Sequence, residues 1–199
     1  MPKKRGAFMK YYHVSSYLQP GDRLTKNTKN NYDYCCYVSV CDVSTFEKYL
    51  ECYKSLCLSG VHQKTGRTAA KWACEAIFEH IRKSEYPNKP SRIRGVYLCD
   101  KLDDARGFLN SYRKPRKQND GTFVYAHIFE IELEASQVQA FDMEKYSMAD
   151  NKLQNTPDNM EAFDYAVCMA REYWSGMNTD CCNVEHITDD VVVIGNLVE

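Results

Sequence analysis

Residues 91–100 read Ser91-Arg92-Ile93-Arg94-Gly95-Val96-Tyr97-Leu98-Cys99-Asp100. The β-branched and aromatic side chains predict a short buried strand. Asp100 predicts the cap of a following helix that carries Leu102, Ala105, Phe108 and Leu109. Upstream, residues 65–85 place Ala69, Ala73, Ala76, Ile77, His80 and Ile81 on one helical face and end before Pro87 and Pro90. Further upstream, Ser44 opens a predicted helix that runs to about Leu58 and stops near Gly60. Residues 21–31 are polar and without period, which reads as a surface loop. Before them Met9 to Ser16, rich in Tyr and Val and followed by Gln19-Pro20-Gly21-Asp22, reads as a strand that enters a turn and presents His13.

Downstream, Arg113 to Lys117 is nearly all basic and Gln118 to Gly121 closes a turn. This reads as a solvated hairpin tip, with phosphate binding as the alternative. Thr122 to Ala135 alternates through Phe123, Tyr125, His127, Phe129, Ile131 and Leu133, which predicts one long strand. After Thr156-Pro157, a predicted cap and first helical position, Met160, Phe163, Val167, Ala170 and Trp174 share a helical face that Gly176 ends. Tyr173 and Trp174 read as core. Asn183 to Ile187, a two-aspartate turn and Val191 to Val198 predict a terminal β-hairpin. Irregular alternation of strands and helices indicates an α+β domain rather than a doubly wound parallel sheet. No Gly-x-Gly-x-x-Gly turn and no Walker loop is present.

The chain of 199 residues is 44% hydrophobic and 27% charged, with a formal net charge of -1. That balance describes one globular domain over residues 9–199 behind a flexible basic tail, residues 1–8, and excludes long-range basic steering. Its apolar runs, such as Val191 to Ile194, fall far short of the roughly 20 residues of a bilayer span, and the start has no apolar secretory core. Among ten cysteines, Cys35-Cys36 and Cys181-Cys182 are adjacent, while Cys52, Cys57, Cys74 and Cys168 fall in helix-like segments. They read as reduced thiols of a cytoplasmic protein. Cys52 and Cys57 are spaced too loosely for a zinc knuckle, so no metal is expected.

Three segments each set one polar side chain on an apolar strand: Tyr12-His13-Val14-Ser15-Ser16, Gly95-Val96-Tyr97-Leu98-Cys99-Asp100 and Val184-Glu185-His186-Ile187. In this order they resemble the ADP-ribosyltransferase fold, in the branch marked by His, Tyr and Glu on three strands. The match extends to Pro90-Ser91-Arg92 before the Tyr strand and Glu172-Tyr173-Trp174-Ser175-Gly176 before the last acid, and looks like a bacterial family of unknown function within that fold. The resemblance covers about Met9 to Val198. It implies a split, mixed or antiparallel sheet with flanking helices, and NAD as substrate.

In that resemblance Glu185 steadies the oxocarbenium-like ribose as nicotinamide leaves and holds its 2'-hydroxyl. Tyr97 stacks on nicotinamide, His13 bonds the adenosine ribose and the Val14 backbone meets the carboxamide. Relatives often carry Gly where Val14 stands, and Ser15 supplies a hydroxyl beside it. Asn183, two before the acid, stands where the arginine-modifying branch has an acid, which disfavours arginine as acceptor. Ser91 and Arg92 are candidates for the pyrophosphate, a salt-bridged arginine at a strand start being the equal alternative. His62, His80, His127 and His186 read as structural.

The implied activity is transfer of ADP-ribose from NAD to an acceptor that is a protein, a nucleic acid or a small molecule. The alternatives are a binding module for NAD, ADP-ribose or a protein partner without turnover, and an NAD glycohydrolase with water as acceptor. A cysteine-based hydrolase ranks last, since no cysteine sits in a nucleophile turn.

Overall fold

The structure is a computed structural model, and it describes residues 7–25, 69–112, 115–117, 120–156, 159–176 and 183–199. The predicted helix from Ser44 to Leu58, the two adjacent cysteine pairs, Cys52, Cys57, Pro157 and most of the N-terminal tail lie outside those residues. Helices combine with antiparallel strands, so the chain is α+β. The described residues of 1–28, 95–139 and 185–199 form one compact unit, and those of 29–94 and 140–184 form another.

The first unit is built on β1 (Phe8–Ser15) and β6 (His127–Glu134), antiparallel from Phe8↔Glu134 to Ser15↔His127. Alternation gives the pair two faces. On one, Val14 and Ile128 meet Ala105 of the helix Leu102–Tyr112.

 In chain order this helix is α2, following α1 (Ala69–Glu85) of the other unit. On the opposite face Tyr11, Phe129, Ile131 and Leu133 pack with Leu98, Val192 and Ile194. α2 starts at Leu102, with the Lys101 carbonyl accepting from the Ala105 N–H at 3.2 Å, one residue later than a cap at Asp100 requires. Asp103 and Asp104 occupy its first turn, where acidic charge suits the helix dipole.

β3 (Val96–Leu98) is shorter than predicted because residues 91–94 form a turn, with the Ser91 hydroxyl accepting from the Ile93 and Arg94 N–H groups at 3.2 and 3.3 Å. It pairs antiparallel with β8 (Val184–Thr188), whereas β9 (Val192–Val193) pairs with β2 (Arg23–Leu24). The predicted terminal hairpin is therefore corrected: its two strands take different partners. The Thr188 hydroxyl donates to the Gln137 carbonyl at 2.7 Å and accepts from the Asp190 N–H at 3.1 Å, and Val192 and Ile194 are then buried with Leu24. The predicted strand from Thr122 to Ala135 is likewise divided. β4 (Arg116–Lys117) and β5 (Phe123–Val124) form a small hairpin, and β6 follows. At its tip Gly121 adopts φ 86°, and Asp120 Oδ1 accepts from the Thr122 N–H and hydroxyl at 2.9 and 2.7 Å.

Residues 195–199 lie along the second edge of β6, where Gly195 N–H donates to the Glu130 carbonyl at 2.9 Å and Glu130 N–H to that of Asn196 at 2.9 Å. A Cβ on Gly195 would stand 2.5 Å from the Glu130 carbonyl oxygen. Gly195→Ala is expected to lower unfolding free energy by about 1–3 kcal/mol through overpacking against backbone. Gly107→Ala, inside α2 with open space around its Cβ, is the control and is expected to be neutral or stabilising. Urea unfolding of the two variants checks the contrast.

In the second unit α1, α3 (Met143–Asn155) and α4 (Met160–Ser175) pack on one another. β7 (Gln139–Asp142) leads into α3, whose start is capped by Asp142 accepting from the Glu144 N–H at 2.9 Å. The cap of α4 is Asn159, which accepts from the Glu161 N–H at 2.9 Å, rather than Thr156, whose hydroxyl bonds the Lys152 carbonyl and closes α3. Trp174 donates to the Phe78 carbonyl at 2.9 Å, and Phe141 stacks on Tyr173 with centroids 4.8 Å apart. No described helix is long and apolar enough to cross a membrane.

Candidate functional site

His13, Tyr97 and Glu185 all belong to the strand unit. The place where they approach one another follows from how β1 meets β3. Tyr12 and Cys99 exchange both backbone bonds, at 2.8 and 2.9 Å, as an isolated bridge. In a continuing antiparallel ladder the next bonded pair would be Val14 with Tyr97. The ladder stops instead, and His13 Nδ1 lies 2.9 Å from the Tyr97 carbonyl oxygen. A carbonyl only accepts, so Nδ1 carries the hydrogen, and in the neutral ring Nε2 holds the lone pair.

The same alternation orients Val14. Ile128 and Glu130 direct their main-chain groups to residues 195–199, so Phe129 and its partner His13 form the bonded pair between β6 and β1. Tyr12 and Val14 therefore turn their main-chain groups toward the β3 side, where Val14, buried, lies beyond the Tyr12–Cys99 bridge. Ser15 is buried, and its Oγ accepts from the Tyr17 N–H at 3.3 Å.

Tyr97 lies opposite Ile187 in the pairing of β3 with β8. Glu185, two residues before Ile187, leaves its strand on the same face as Tyr97, at a diagonal distance of roughly 7–8 Å between backbones. Both side chains are half-buried. Strand alternation puts His13 with Tyr11 on the other face of the sheet, and the imidazole meets the main-chain carbonyl of Tyr97. The structure thus joins His13 to Tyr97 at the parting of β1 and β3 and sets Glu185 beside Tyr97.

Behind this opening, His186 stands opposite Leu98, its ring centroid 6.0 Å from that of Tyr11 and its Nδ1 4.0 Å from Asp100 Oδ1. Burial holds the imidazole below its ordinary pKa, against the pull of Asp100. Burial raises the Tyr11 hydroxyl, and the Asp100 charge adds to the shift. Sequence reasoning treated Asp100 only as a helix cap; its carboxylate is instead the charge that His186 and Tyr11 share. Cys99, beside them, has its thiol pushed up to about 11, chiefly by burial and then by Asp104 and Asp100, so it stays protonated and is a poor nucleophile.

Ser91 and Arg92 belong to the helical unit and are buried there. Arg92 is 1% exposed; its Nε and Nη2 donate to the two carboxylate oxygens of Glu75 at 3.1 and 3.2 Å, and its Nη1 to the Tyr173 hydroxyl at 3.0 Å. Ser91 Oγ donates to Glu79 Oε2 at 3.1 Å. The salt-bridge alternative describes Arg92, because a guanidinium enclosed in this way has no surface to offer a pyrophosphate. A cavity of about 150 Å³ in the same unit is lined by Asp142, Lys145, Glu172, Ser175 and Gly176, and holds none of the predicted residues. Its Lys145 pairs with Glu172 at 2.7 Å. Among the described residues no three His, Cys, Asp or Glu side chains gather as ligands for a metal.

Over residues 4–196 the sequence matches a family described as protein of unknown function, DUF2441. The chain belongs to the DUF2441 family. No curated protein matches it. The matched residues include His13, Val14, Tyr97 and Glu185.

Proposed function

We propose that the chain binds NAD at the parting of β1 and β3 and transfers its ADP-ribose to an acceptor. The observation that carries this reading is the 2.9 Å contact of the His13 imidazole with the Tyr97 carbonyl, with Glu185 on the face of Tyr97. A ladder that ends in an imidazole rather than in a backbone pair leaves main-chain donors and acceptors at Val14, the groups a carboxamide needs. The Tyr97 ring supplies a flat partner for nicotinamide, and His13 a polar partner for the adenosine ribose.

The bond from ribose C1' to the nicotinamide nitrogen breaks, its electron pair leaves with neutral nicotinamide, and positive charge grows on the ribose. The carboxylate of Glu185 favours that charge and accepts from the 2'-hydroxyl. A lone pair of the acceptor then forms the bond to C1', and the acceptor's proton passes to water. Ser91 and Arg92 have no part in this scheme. A cytoplasmic setting fits it, since NAD is the substrate and the protein's cysteines read as thiols.

The test is incubation of the purified chain with NAD while nicotinamide release is followed, with and without cell lysate. Label transferred to lysate components supports transfer. Release without lysate points to a glycohydrolase, and binding without release to a module. Absence of NAD binding overturns the reading.

A further inference from the structure

We propose that Phe123, Tyr125 and His127, with Lys117 beside them, form a binding platform for single-stranded nucleic acid. Along residues 123–128 exposure alternates: Val124, Ala126 and Ile128 turn inward, with Ala126 packed against the cluster of Val14, Ala105 and Ile128. The outward positions would ordinarily be polar. Here they carry a phenyl ring 55% exposed, a phenol 57% exposed and an exposed imidazole. Phe123 belongs to β5, His127 opens β6 and Tyr125 lies between the two strands.

Lys117 lies opposite Phe123 in the β4–β5 pairing and so projects from the same side as the Phe123 ring. It closes the run Arg113-Lys114-Pro115-Arg116-Lys117, which puts four positive charges into five residues of a chain whose net charge is -1. The Asp120–Thr122 bonds and the positive φ of Gly121 shape the turn at residues 120–122 that leads into Phe123. Flat exposed rings beside the Lys117 charge complement a ligand that has both unstacked bases and phosphates, which is a single strand; a duplex hides its base faces.

The stripe ends next to His13. His127 is the register partner of Ser15, as Phe129 is of His13, so His127 and His13 share one side of the β1–β6 pair. This binding does not depend on the NAD reading.

Fluorescence anisotropy with labelled oligo-dT and oligo-U, in rising salt, tests the platform. The intact chain is expected to bind single strands more tightly than a duplex of the same length. Phe123→Ala with Tyr125→Ala is expected to weaken that binding at least tenfold, each stacked ring being worth about 5- to 150-fold. Lys117→Glu is expected to weaken it and to flatten the salt dependence. Phe123→Trp, which keeps a stacking surface, is expected to retain it. The dT and U arms show whether DNA or RNA is preferred, and either preference supports the platform. It is overturned if neither oligonucleotide binds at low salt, if the ring variants bind like the intact chain, or if anionic phospholipid vesicles are bound in the ring-dependent way instead. Nicotinamide release, measured separately, reports on the NAD reading alone.

Discussion

Glu185→Gln is expected to lower the rate of nicotinamide release from NAD by about a hundredfold to a thousandfold, the usual effect of removing one electrostatic group that acts at the transition state. The substitution keeps the side chain's shape and its capacity to accept from a ribose hydroxyl, and removes only the charge. Charge matters little while NAD is bound intact and much once the ribose turns cationic, so the loss should fall on kcat with KM nearly unchanged. Tyr97→Ala should behave differently, raising KM through the loss of a stacking surface. Steady-state kinetics together with thermal unfolding separate these outcomes. A Glu185→Gln protein that unfolds at the parent temperature and turns over NAD at the parent rate would remove Glu185 from the chemistry.

How far this site can be read before the fold is known depends on which contacts are local. β1 is legible because Tyr and Val crowd residues 9–16, and α1 because its alanines and isoleucines recur at helical spacing. α3 is not, because it buries only Tyr146, Ala149 and Leu153 among polar neighbours and has no continuous apolar face. Alternation marks residues 184–188 and 191–198 as extended but contains no instruction about partners; adjacency suggests a hairpin, whereas burial with Leu24 sends β9 to β2. The same limit applies to His13 and Tyr97. Their residue types are visible in the sequence, but a hydrogen bond across 84 positions arises from tertiary structure alone. Glu75 and Glu79 carried a signal that was open to reading: two acids four apart on an alanine-rich apolar helix imply buried cationic partners, here Arg92 and Arg82.

Arg92→Met is expected to lower unfolding free energy by about 3–5 kcal/mol, because it strands the Glu75 carboxylate in an apolar interior. Glu75 is 0% exposed, and its two oxygens take both forks of a guanidinium whose carbon also lies 4.0 Å from the Tyr146 ring centroid. Breaking such a pair is costly for the partner that remains, while replacing both members by apolar groups of similar volume is often neutral or stabilising. Glu75→Met combined with Arg92→Met should therefore recover most of the loss, and a urea series on the two single variants and the double measures the coupling between them. If Arg92 held the pyrophosphate of NAD, the ranking would invert. NAD affinity would fall in Arg92→Met and in the double variant alike, whatever their stabilities. A purely structural Arg92 instead predicts that the double variant, once refolded to near-parent stability, binds NAD as the parent does, because none of His13, Val14, Tyr97 and Glu185 has been altered.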